Sequence, residues 1–330
     1  LDAVLGRLVP LFGEKLSSPE REAVLAVLNG VLGDYLETSG NPLAIHMRLR
    51  RDGHPLQLDK SALASALPDA GGKLLVLAHG LCMNDLQWAR QGHDHGTALA
   101  RDLGYTPAYL HYNSGRHIST NGREFADQLE ILVANWPVAV KELAILGHSM
   151  GGLLARSAWH YGTAAGHAWP RRLKKLVFLG TPHHGAPMER GGNLIDIALG
   201  VSPYTAPLSR LGKIRSAGIT DLRHTWLLDE DWRGRDRFAR SSGHHAAVPL
   251  PDGVKCFAIA ATTGKQAGDI KDRLVGDGLV PLASALGCHA EHDRNLMFPP
   301  DRQWIALETG HLDLLCRKPV YERIRGWLAA

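Results

Sequence analysis

Hydrophobic and polar positions change their spacing several times along the chain. Apolar residues recur at helical spacing from Val24 to Tyr35, after a Ser18-Pro19 pair that suits the N-cap and first turn of a helix. Residues 45–58 then alternate apolar and polar around Asp52-Gly53, which is typical of an antiparallel hairpin. We therefore predict that residues 1–40 form a helical N-terminal extension and that a hairpin follows.

Beyond the hairpin, short continuous apolar runs alternate with amphipathic stretches. Such runs are typical of strands buried on both faces, and the amphipathic stretches are typical of helices packed on a sheet. The predicted strands are Lys73–Ala78, Pro107–Tyr112, Leu143–Leu146, Lys175–Leu179, Val254–Ala260 and Trp304–Leu307. The predicted helices cover about 121–132, the residues after Gly151, and 320–328. This alternation predicts an α/β fold with a mostly parallel, doubly wound sheet.

One long segment, between Pro187 and Leu250, lacks the buried-strand pattern. It is rich in Gly, Pro and Arg, and its apolar residues fall at helical spacing in Leu194–Leu199 and Leu222–Leu228. A structureless loop of that length is uncommon inside a compact domain. We therefore predict a helical cap at about residues 187–250, inserted in an α/β domain that spans residues 41–330.

Composition and charge narrow the class of protein. The chain has 330 residues, 45% hydrophobic and 21% charged, as in ordinary globular proteins. A net charge of +4 is too small to predict a nucleic-acid partner. No apolar run reaches the roughly 18 residues of a membrane-spanning helix. The four cysteines form no C-x-x-C pair and the first residues carry no leader pattern, so we expect a cytoplasmic protein. The sequence predicts no particular oligomeric state.

The sharpest chemical signal is the segment Gly147-His148-Ser149-Met150-Gly151-Gly152. A predicted strand ends directly at Gly147, and a helical pattern begins just after Ser149. This is the strand–turn–helix context in which a serine is held on a strained turn as a nucleophile. Glycines are required on either side because a Cβ atom there would collide with the neighbouring strand and helix. The segment therefore predicts Ser149 as a nucleophile.

A serine nucleophile needs a base and an acidic partner, which follow it in the order acid then histidine in this topology. His311 lies after the last predicted strand, and Asp277 lies between two glycines after the preceding strand. We predict that His311 is the base and that Asp277 orients it. Four other carboxylates compete for the second role: Asp269, Asp272, Glu308 and Asp313.

An oxyanion hole and a substrate pocket complete the predicted site. The segment His79-Gly80-Leu81 follows the first parallel strand, so the backbone N–H groups of Leu81 and Met150 are the predicted oxyanion donors. In the predicted cap, Trp226 and Trp232 are candidate substrate contacts. Charged residues surround them in the sequence, which favours short or medium acyl chains over a lipid-facing lid.

Five segments together resemble those of bacterial triacylglycerol lipases and esterases, and of the lipase-like domain of glycosylphosphatidylinositol inositol-deacylases. They are Ala78–Leu81, Gly147–Gly152, Gly180–Gly185, Gly276–Val280 and His311–Asp313, in the family's order. The resemblance implies an α/β-hydrolase fold with Ser149, Asp277 and His311 as triad, and Leu81 with Met150 as oxyanion donors. In lipases with an H-L-D signature the Asp binds structural calcium, which makes Asp313 a candidate ligand. One matched ligand falls short of the six or more that calcium takes, so no metal and no cofactor is predicted.

These residues predict hydrolysis of a small-molecule carboxylic ester through an acyl-enzyme. A thioesterase, lactonase or amidase would use the same triad. A non-catalytic protein of the same fold that binds a ligand is the alternative from another class, although a binding protein has no need of all three triad residues.

Overall fold

The computed structural model describes residues 18–185, 216–236, 248–265 and 276–330. Within these residues, eight strands form one sheet in the order β2-β1-β4-β3-β5-β6-β7-β8. The strands are β1 (Arg48–Arg51), β2 (His54–Pro55), β3 (Lys73–Ala78), β4 (Thr106–His111), β5 (Glu142–His148), β6 (Leu173–Leu179), β7 (Lys255–Ala261) and β8 (Gln303–Ala306).

Helices cover both faces of this sheet. The α-helices of the described residues are α1 (Pro19–Thr38), α2 (Lys60–Ala66), α3 (His95–Leu103), α4 (Ile118–Asn135), α5 (Met150–Ala164), α6 (Ala217–His224), α7 (Asp229–Trp232), α8 (Leu282–Ala285) and α9 (Lys318–Ala329). Short 3₁₀ turns lie at Asp85–Trp88, Trp169–Arg172, His292–Arg294, Pro300–Arg302 and Asp313–Leu315.

Strand direction confirms the predicted fold class. Strand β1 pairs antiparallel with β2 and with β4, whereas all pairs among β3 to β8 are parallel. The apolar runs predicted as strands are therefore buried between helical layers, as a parallel sheet requires. The predicted hairpin forms one edge of the sheet.

The strand order places a crevice in the middle of the sheet. From β3 the chain moves to β4 on one side and then crosses to β5 on the other side of β3. The loops after β3 and β5 therefore run in opposite directions from adjacent strand ends, and ligand sites of open α/β sheets lie at such a point. In β3 itself, Leu74 and Val76 belong to one hydrophobic core, while Leu75 and Leu77 belong to the core on the opposite face.

Helix α1 packs directly on the loops at this end of the sheet. The Ser18 side chain caps it by accepting a hydrogen bond from the Arg21 backbone N–H at 3.3 Å, as predicted from the Ser-Pro pair. Its two glycines lie at close contacts: a Cβ on Gly30 would lie 2.2 Å from Cys82 Sγ, and one on Gly33 would lie 1.8 Å from Asn113 Oδ1. The helix thus shares the main hydrophobic core, although the sequence alone presented it as an extension.

Replacing Gly30 with alanine should destabilise the protein. Alanine favours a helix by about 1 kcal/mol over glycine, but the new methyl group would also lie 2.9 Å from the Cys82 Cα, which is backbone. Overpacking of this kind costs roughly 1–3 kcal/mol. We expect a lower free energy of unfolding in urea. The matched control is Gly326→Ala in α9, where the added Cβ meets nothing within 4 Å and should be neutral or stabilising. Equal effects of the two substitutions would refute the packing argument.

The predicted cap falls partly outside the described residues. Within 216–236 and 248–250, the chain forms the two helices α6 and α7 and no strand. These helices contact α1 and α5: the Ser216 hydroxyl donates to the Gly30 carbonyl at 2.6 Å, and the Ser157 hydroxyl donates to the Leu227 carbonyl at 2.8 Å. The cap as a whole, and its position over Ser149, remain predictions. No helix in the described part of the chain has the length and apolar character needed to cross a bilayer.

Candidate active site

Ser149 lies on a sharp turn between β5 and α5. Its backbone has φ 54° and ψ −123°, a strained conformation for a residue with a side chain. The strain is held by close packing, since a Cβ on Gly151 would lie 2.1 Å from the Ala78 carbonyl oxygen and one on Gly147 would lie 2.6 Å from Gly152 Cα. The Ser149 N–H also donates to the Leu179 carbonyl of the neighbouring strand at 2.8 Å. The side chain is therefore fixed at the N-terminal end of α5, where the helix dipole favours developing negative charge.

His311 and Asp277 form a buried pair at the same end of the sheet. The His311 Nδ1 lies 2.6 Å from Asp277 Oδ2, and both residues are at most 5% exposed. The other carboxylate oxygen, Oδ1, accepts hydrogen bonds from the backbone N–H groups of Leu279 and Val280 at 3.0 and 2.8 Å. The carboxylate is thus locked in place. Because a carboxylate accepts, the Nδ1 of His311 carries a proton, and in the neutral imidazole Nε2 is then the nitrogen that can accept one.

Of the four competing carboxylates, the structure describes two, and neither is placed as Asp277 is. The Asp313 carboxylate accepts the Gly310 backbone N–H at 3.1 Å and so shapes the turn before His311. Glu308 is exposed, beyond the end of β8. Asp269 and Asp272 lie outside the described residues. Among the described residues, no group of three or more His, Cys, Asp or Glu side chains is arranged to hold a metal ion.

His148 joins the serine turn to the histidine loop. Its Nε2–H donates to the His311 backbone carbonyl at 3.1 Å, and the two imidazole rings lie 4.7 Å apart. On its other side, a Cβ on Gly80 would lie 3.2 Å from His148 Nδ1 and 3.0 Å from the Cβ of Ser149. A Cβ on Gly180 would lie 3.1 Å from both His311 Cε1 and Asp277 Oδ2. These contacts hold the three predicted triad residues in one region. The sequence placed His148 beside the serine but gave no sign of its bond to the distant loop.

The two predicted oxyanion donors flank this region. Leu81 follows β3 and Met150 is the first residue of α5, which is the position where a helix leaves its N–H groups unpaired. Within the described residues, neither backbone N–H is engaged in a hydrogen bond. Both are therefore available to an oxygen atom placed near Ser149, and their role remains a prediction.

Neutral, buried histidines surround the site. Burial lowers the pKa of His79 to about 3 and that of His95 to about 4, and both side chains are fully buried. Burial also lowers the pKa of His148 well below its usual range. Each ring has a backbone partner: His79 Nδ1–H donates to the Gly80 carbonyl at 2.9 Å, and His95 Nε2–H donates to the Leu314 carbonyl at 2.9 Å. These rings are structural supports of the loops that carry the site.

The depressed pKa values predict that stability falls in mild acid. In the unfolded chain these histidines bind protons below about pH 6.5, whereas in the folded state they stay neutral down to their lowered pKa values. The stabilisation is therefore complete above pH 6.5 and is lost as the pH falls. At about pH 5, His79 and His95 should each reduce the free energy of unfolding by about 2 kcal/mol. Urea titrations at pH 7.5 and pH 5 measure the difference in the free energy of unfolding. His79→Phe should make this difference smaller, whereas His46→Gln, at an exposed position, should leave it unchanged. Equal stability of the native protein at both pH values would contradict the prediction.

The two predicted substrate tryptophans make packing contacts. Trp226 is 1% exposed and stacks on His224 with ring centroids 4.7 Å apart. Trp232 is half-buried, stacks on His117 at 3.7 Å, and donates its indole N–H to the Ser119 hydroxyl at 2.9 Å. Among the described residues, no contact joins either tryptophan to Ser149. Their role toward a substrate stays a prediction.

The chain matches a known family over the segment that carries the serine turn. A family model described as "PGAP1-like alpha/beta domain" matches residues 69–250, more than half of the 330 residues. The chain belongs to this family. Membership confirms the resemblance to lipase-like α/β hydrolases that the five motifs indicated. The matched segment of this PGAP1-like domain contains Leu81, Ser149 and Met150, and it ends before Asp277 and His311.

Several solved structures are similar to this chain at low sequence identity. The mature form of Bacillus licheniformis lipase BlEst2 is 15% identical, with a TM-score of 0.51 over 85% of this chain and 98% of that one. Aspergillus fumigatus lipase B is 12% identical, with a TM-score of 0.46 over 81% of this chain and 57% of that one. The Pyrococcus furiosus esterase Pf2001 is 13% identical, with a TM-score of 0.45 over 79% and 81%. The likeness to BlEst2 shows the fold alone, and the other two are weaker. No curated protein matches the chain.

Proposed function

We propose that this PGAP1-like domain hydrolyses carboxylic esters through an acyl-enzyme. Ser149 attacks the ester carbonyl, and His311 Nε2 takes the proton of its hydroxyl. Asp277 holds the imidazole by its Nδ1–H and stabilises the positive ring that forms. The N–H groups of Leu81 and Met150 bind the oxyanion. His311 then returns the proton to the leaving alcohol, and water releases the acid by the same route.

One observation carries this proposal: a strained serine and a buried His–Asp pair lie at the same end of the sheet, beyond the carboxyl ends of its parallel strands. The Ser149 conformation is costly, and the His311–Asp277 contact of 2.6 Å removes a carboxylate from water. A protein that only binds a ligand needs neither the strained serine nor the buried carboxylate. The tautomer also suits the reaction, because the proton on Nδ1 leaves Nε2 as a base.

Labelling with a fluorophosphonate tests the catalytic class directly. The probe reacts with a serine that a neighbouring base activates, so one covalent adduct should form on the peptide that contains Ser149. His311→Gln should slow the labelling strongly. The buried Ser157, on the same helix, serves as the internal control and should stay unmodified. If native, folded protein takes up no probe on Ser149, the protein is a non-catalytic member of its family.

The proposed substrates are esters with short or medium acyl chains. The support is the charge of the segment around the tryptophans: Arg123 and Arg233 both pair with Asp229 beside Trp232, so this surface is not a continuous apolar one. Rates on p-nitrophenyl esters of increasing chain length define the preference. Matched thioesters, lactones and anilides separate the esterase from the thioesterase, lactonase and amidase that would use the same residues.

Trp232→Ala should alter chain-length preference more than it alters hydrolysis of an acetate ester. Trp232 is half-buried and stacks on the loop after β4, at the edge of the sheet where the triad lies. If the ring contacts the acyl chain, its loss should lower kcat/KM about tenfold for esters that are a few methylene groups longer than acetate. The measurement is kcat/KM over the ester series. Trp226→Ala is the comparison, since a fully buried tryptophan should mainly affect stability. An unchanged profile in Trp232→Ala would mean that the residue only packs.

A further inference from the structure

Helix α5 contains a deeply buried arginine, Arg156. Arg156 is 3% exposed, and burial lowers its pKa to about 10. Its guanidinium donates to the His183 Nδ1 at 3.3 Å and to the Val248 carbonyl oxygen, while its Nε–H finds no acceptor in the described part of the chain. Among the described residues, no carboxylate contacts it. A buried positive charge without a counter-charge is unfavourable unless something else compensates for it.

The contact with Arg156 determines which nitrogen of the neighbouring His183 ring carries the proton. Because Arg156 donates to His183 Nδ1, that nitrogen accepts, and the ring proton of His183 resides on Nε2. Burial and the Arg156 charge hold the pKa of His183 well below its usual range, so the ring is neutral. Its Nε2 is buried and has no hydrogen-bond partner. Within the described residues, two buried N–H groups are therefore left without acceptors, beside a positive charge that no described carboxylate compensates.

Both residues line one cavity of about 150 Å³. That is room for a group larger than a single water molecule. The cavity is also lined by His184 and Arg294, so a second guanidinium lies at its wall. The acidic residue in its lining, Asp293, has a fully exposed side chain, at 100%. Arg294 also pairs with Glu291, at 3.9 Å, and the Glu291 side chain is 57% exposed. The cavity is thus positively charged and rich in N–H donors.

We propose that this cavity binds a phosphate group, with Arg156 and the Nε2–H of His183 as its buried donors. Phosphate offers several acceptor oxygens to the arginine fork and the imidazole, and its negative charge would compensate the buried charge of Arg156. Arg156 lies two turns beyond Ser149 on α5, about 10 Å along the helix axis, so this is a site separate from the proposed triad. The phosphate belongs to a free ion or to a lipid head group.

Calorimetric titration with inorganic phosphate tests the site. All titrations use the Ser149→Ala variant as the parent protein, so the outcome does not depend on whether the protein hydrolyses esters. Sodium chloride of matched ionic strength and sodium acetate are the competitor ions. We expect one phosphate per chain, bound at least about tenfold more weakly after Arg156→Met, since a charge-assisted hydrogen bond is lost. The exposed Arg48→Met removes the same charge elsewhere and should leave binding unchanged.

Thermal unfolding gives a second readout on the same variants. Phosphate should raise the Tm of the Ser149→Ala protein and not that of its Arg156→Met derivative. Without phosphate, Arg156→Met should be as stable as its parent or more stable, because an uncompensated buried charge is gone. If Arg156→Met does not fold, Arg156→Lys keeps the charge but loses the fork, and Arg294→Gln removes the second arginine; both should bind phosphate more weakly.

Sedimentation with vesicles separates the two sources of phosphate. Vesicles of phosphatidylcholine with and without phosphatidic acid are compared for the Ser149→Ala protein and its Arg156→Met derivative. Binding of inorganic phosphate assigns the site to a free ion. Arg156-dependent binding of phosphatidic acid vesicles alone assigns it to a lipid head group. Equal binding with and without Arg156, or binding of neither probe by folded protein, overturns the proposal.

Discussion

Ser149→Ala is expected to lower kcat for ester hydrolysis by roughly 10³–10⁶-fold while leaving the protein folded. The hydroxyl is the attacking group in the proposed mechanism, and no second buried group replaces it in the described site. The backbone strain at φ 54° is retained because alanine keeps the Cβ. The check is kcat on a p-nitrophenyl ester together with a urea unfolding curve. Turnover near that of the wild type in pure, folded protein would end the assignment of Ser149.

Ser149→Gly is the informative companion to that variant. It removes the same hydroxyl, so it should be equally inactive. It also removes the Cβ that makes φ 54° and ψ −123° costly, a strain of about 1–3 kcal/mol. The glycine variant should therefore unfold at higher urea than the alanine variant. If alanine proves as stable as glycine, the turn stores no strain, and that part of the argument fails.

Asp277→Asn should lower kcat by roughly 10²–10⁴-fold. Asparagine keeps an oxygen that accepts the N–H groups of Leu279 and Val280, which Asp277 binds at 3.0 and 2.8 Å, so the loop should hold its shape. Its amide N–H₂ would face His311 Nδ1 and donate to it. The ring proton would then move to Nε2, which is the nitrogen that must accept the proton of the serine. Steady-state kinetics and a thermal unfolding curve measure the two effects separately.

Three other substitutions serve as controls for the acidic role. Asp313→Asn should stay within about tenfold of the wild type, because its bond to the Gly310 N–H can be kept by an amide oxygen. Asp269→Asn and Asp272→Asn should also remain within about tenfold. A nearly silent Asp277→Asn beside a severe effect at one of these positions would mean that the other residue orients His311.

The sheet could be predicted because burial on both faces imposes a continuous apolar run that no exposed strand shows. The run Lys73–Ala78 matches β3 at both ends, and the Ser18-Pro19 pair marks the start of α1. Helix α3 was missed: its His95–Leu103 segment mixes His, Gly, Arg and Asp with few large apolar residues. Its buried face relies on His95, whose contact with the Leu314 carbonyl lies 219 residues away in the chain. A local pattern does not reveal a partner so distant.

The residues of the site were predictable where the chemistry requires a fixed type at a fixed place. Gly147 and Gly151 mark the serine turn since no other residue fits there. Asp277 lies between two glycines because a Cβ on Gly276 would lie 1.9 Å from the Val280 carbonyl oxygen and because Gly278 has a positive φ of 98°. Arg156 carried no such signal. An arginine on an amphipathic helix normally reaches solvent, and its burial depends on Val248 and His183 closing over it. Contacts of this kind depend on how distant segments pack, and spacing along the chain does not encode them.

The order of the strands determines how far this protein could be shortened without opening its sheet. A fragment limited to residues 69–250 would keep the serine turn and the first of the oxyanion loops. It would lose β7 and β8, and with them the loops that carry Asp277 and His311, the proposed acid and base. It would also leave the backbone of β6 as an open edge, which invites pairing between copies. The segment matched by the family model is therefore narrower than the sheet, and a fragment made for expression should include residues 18–330.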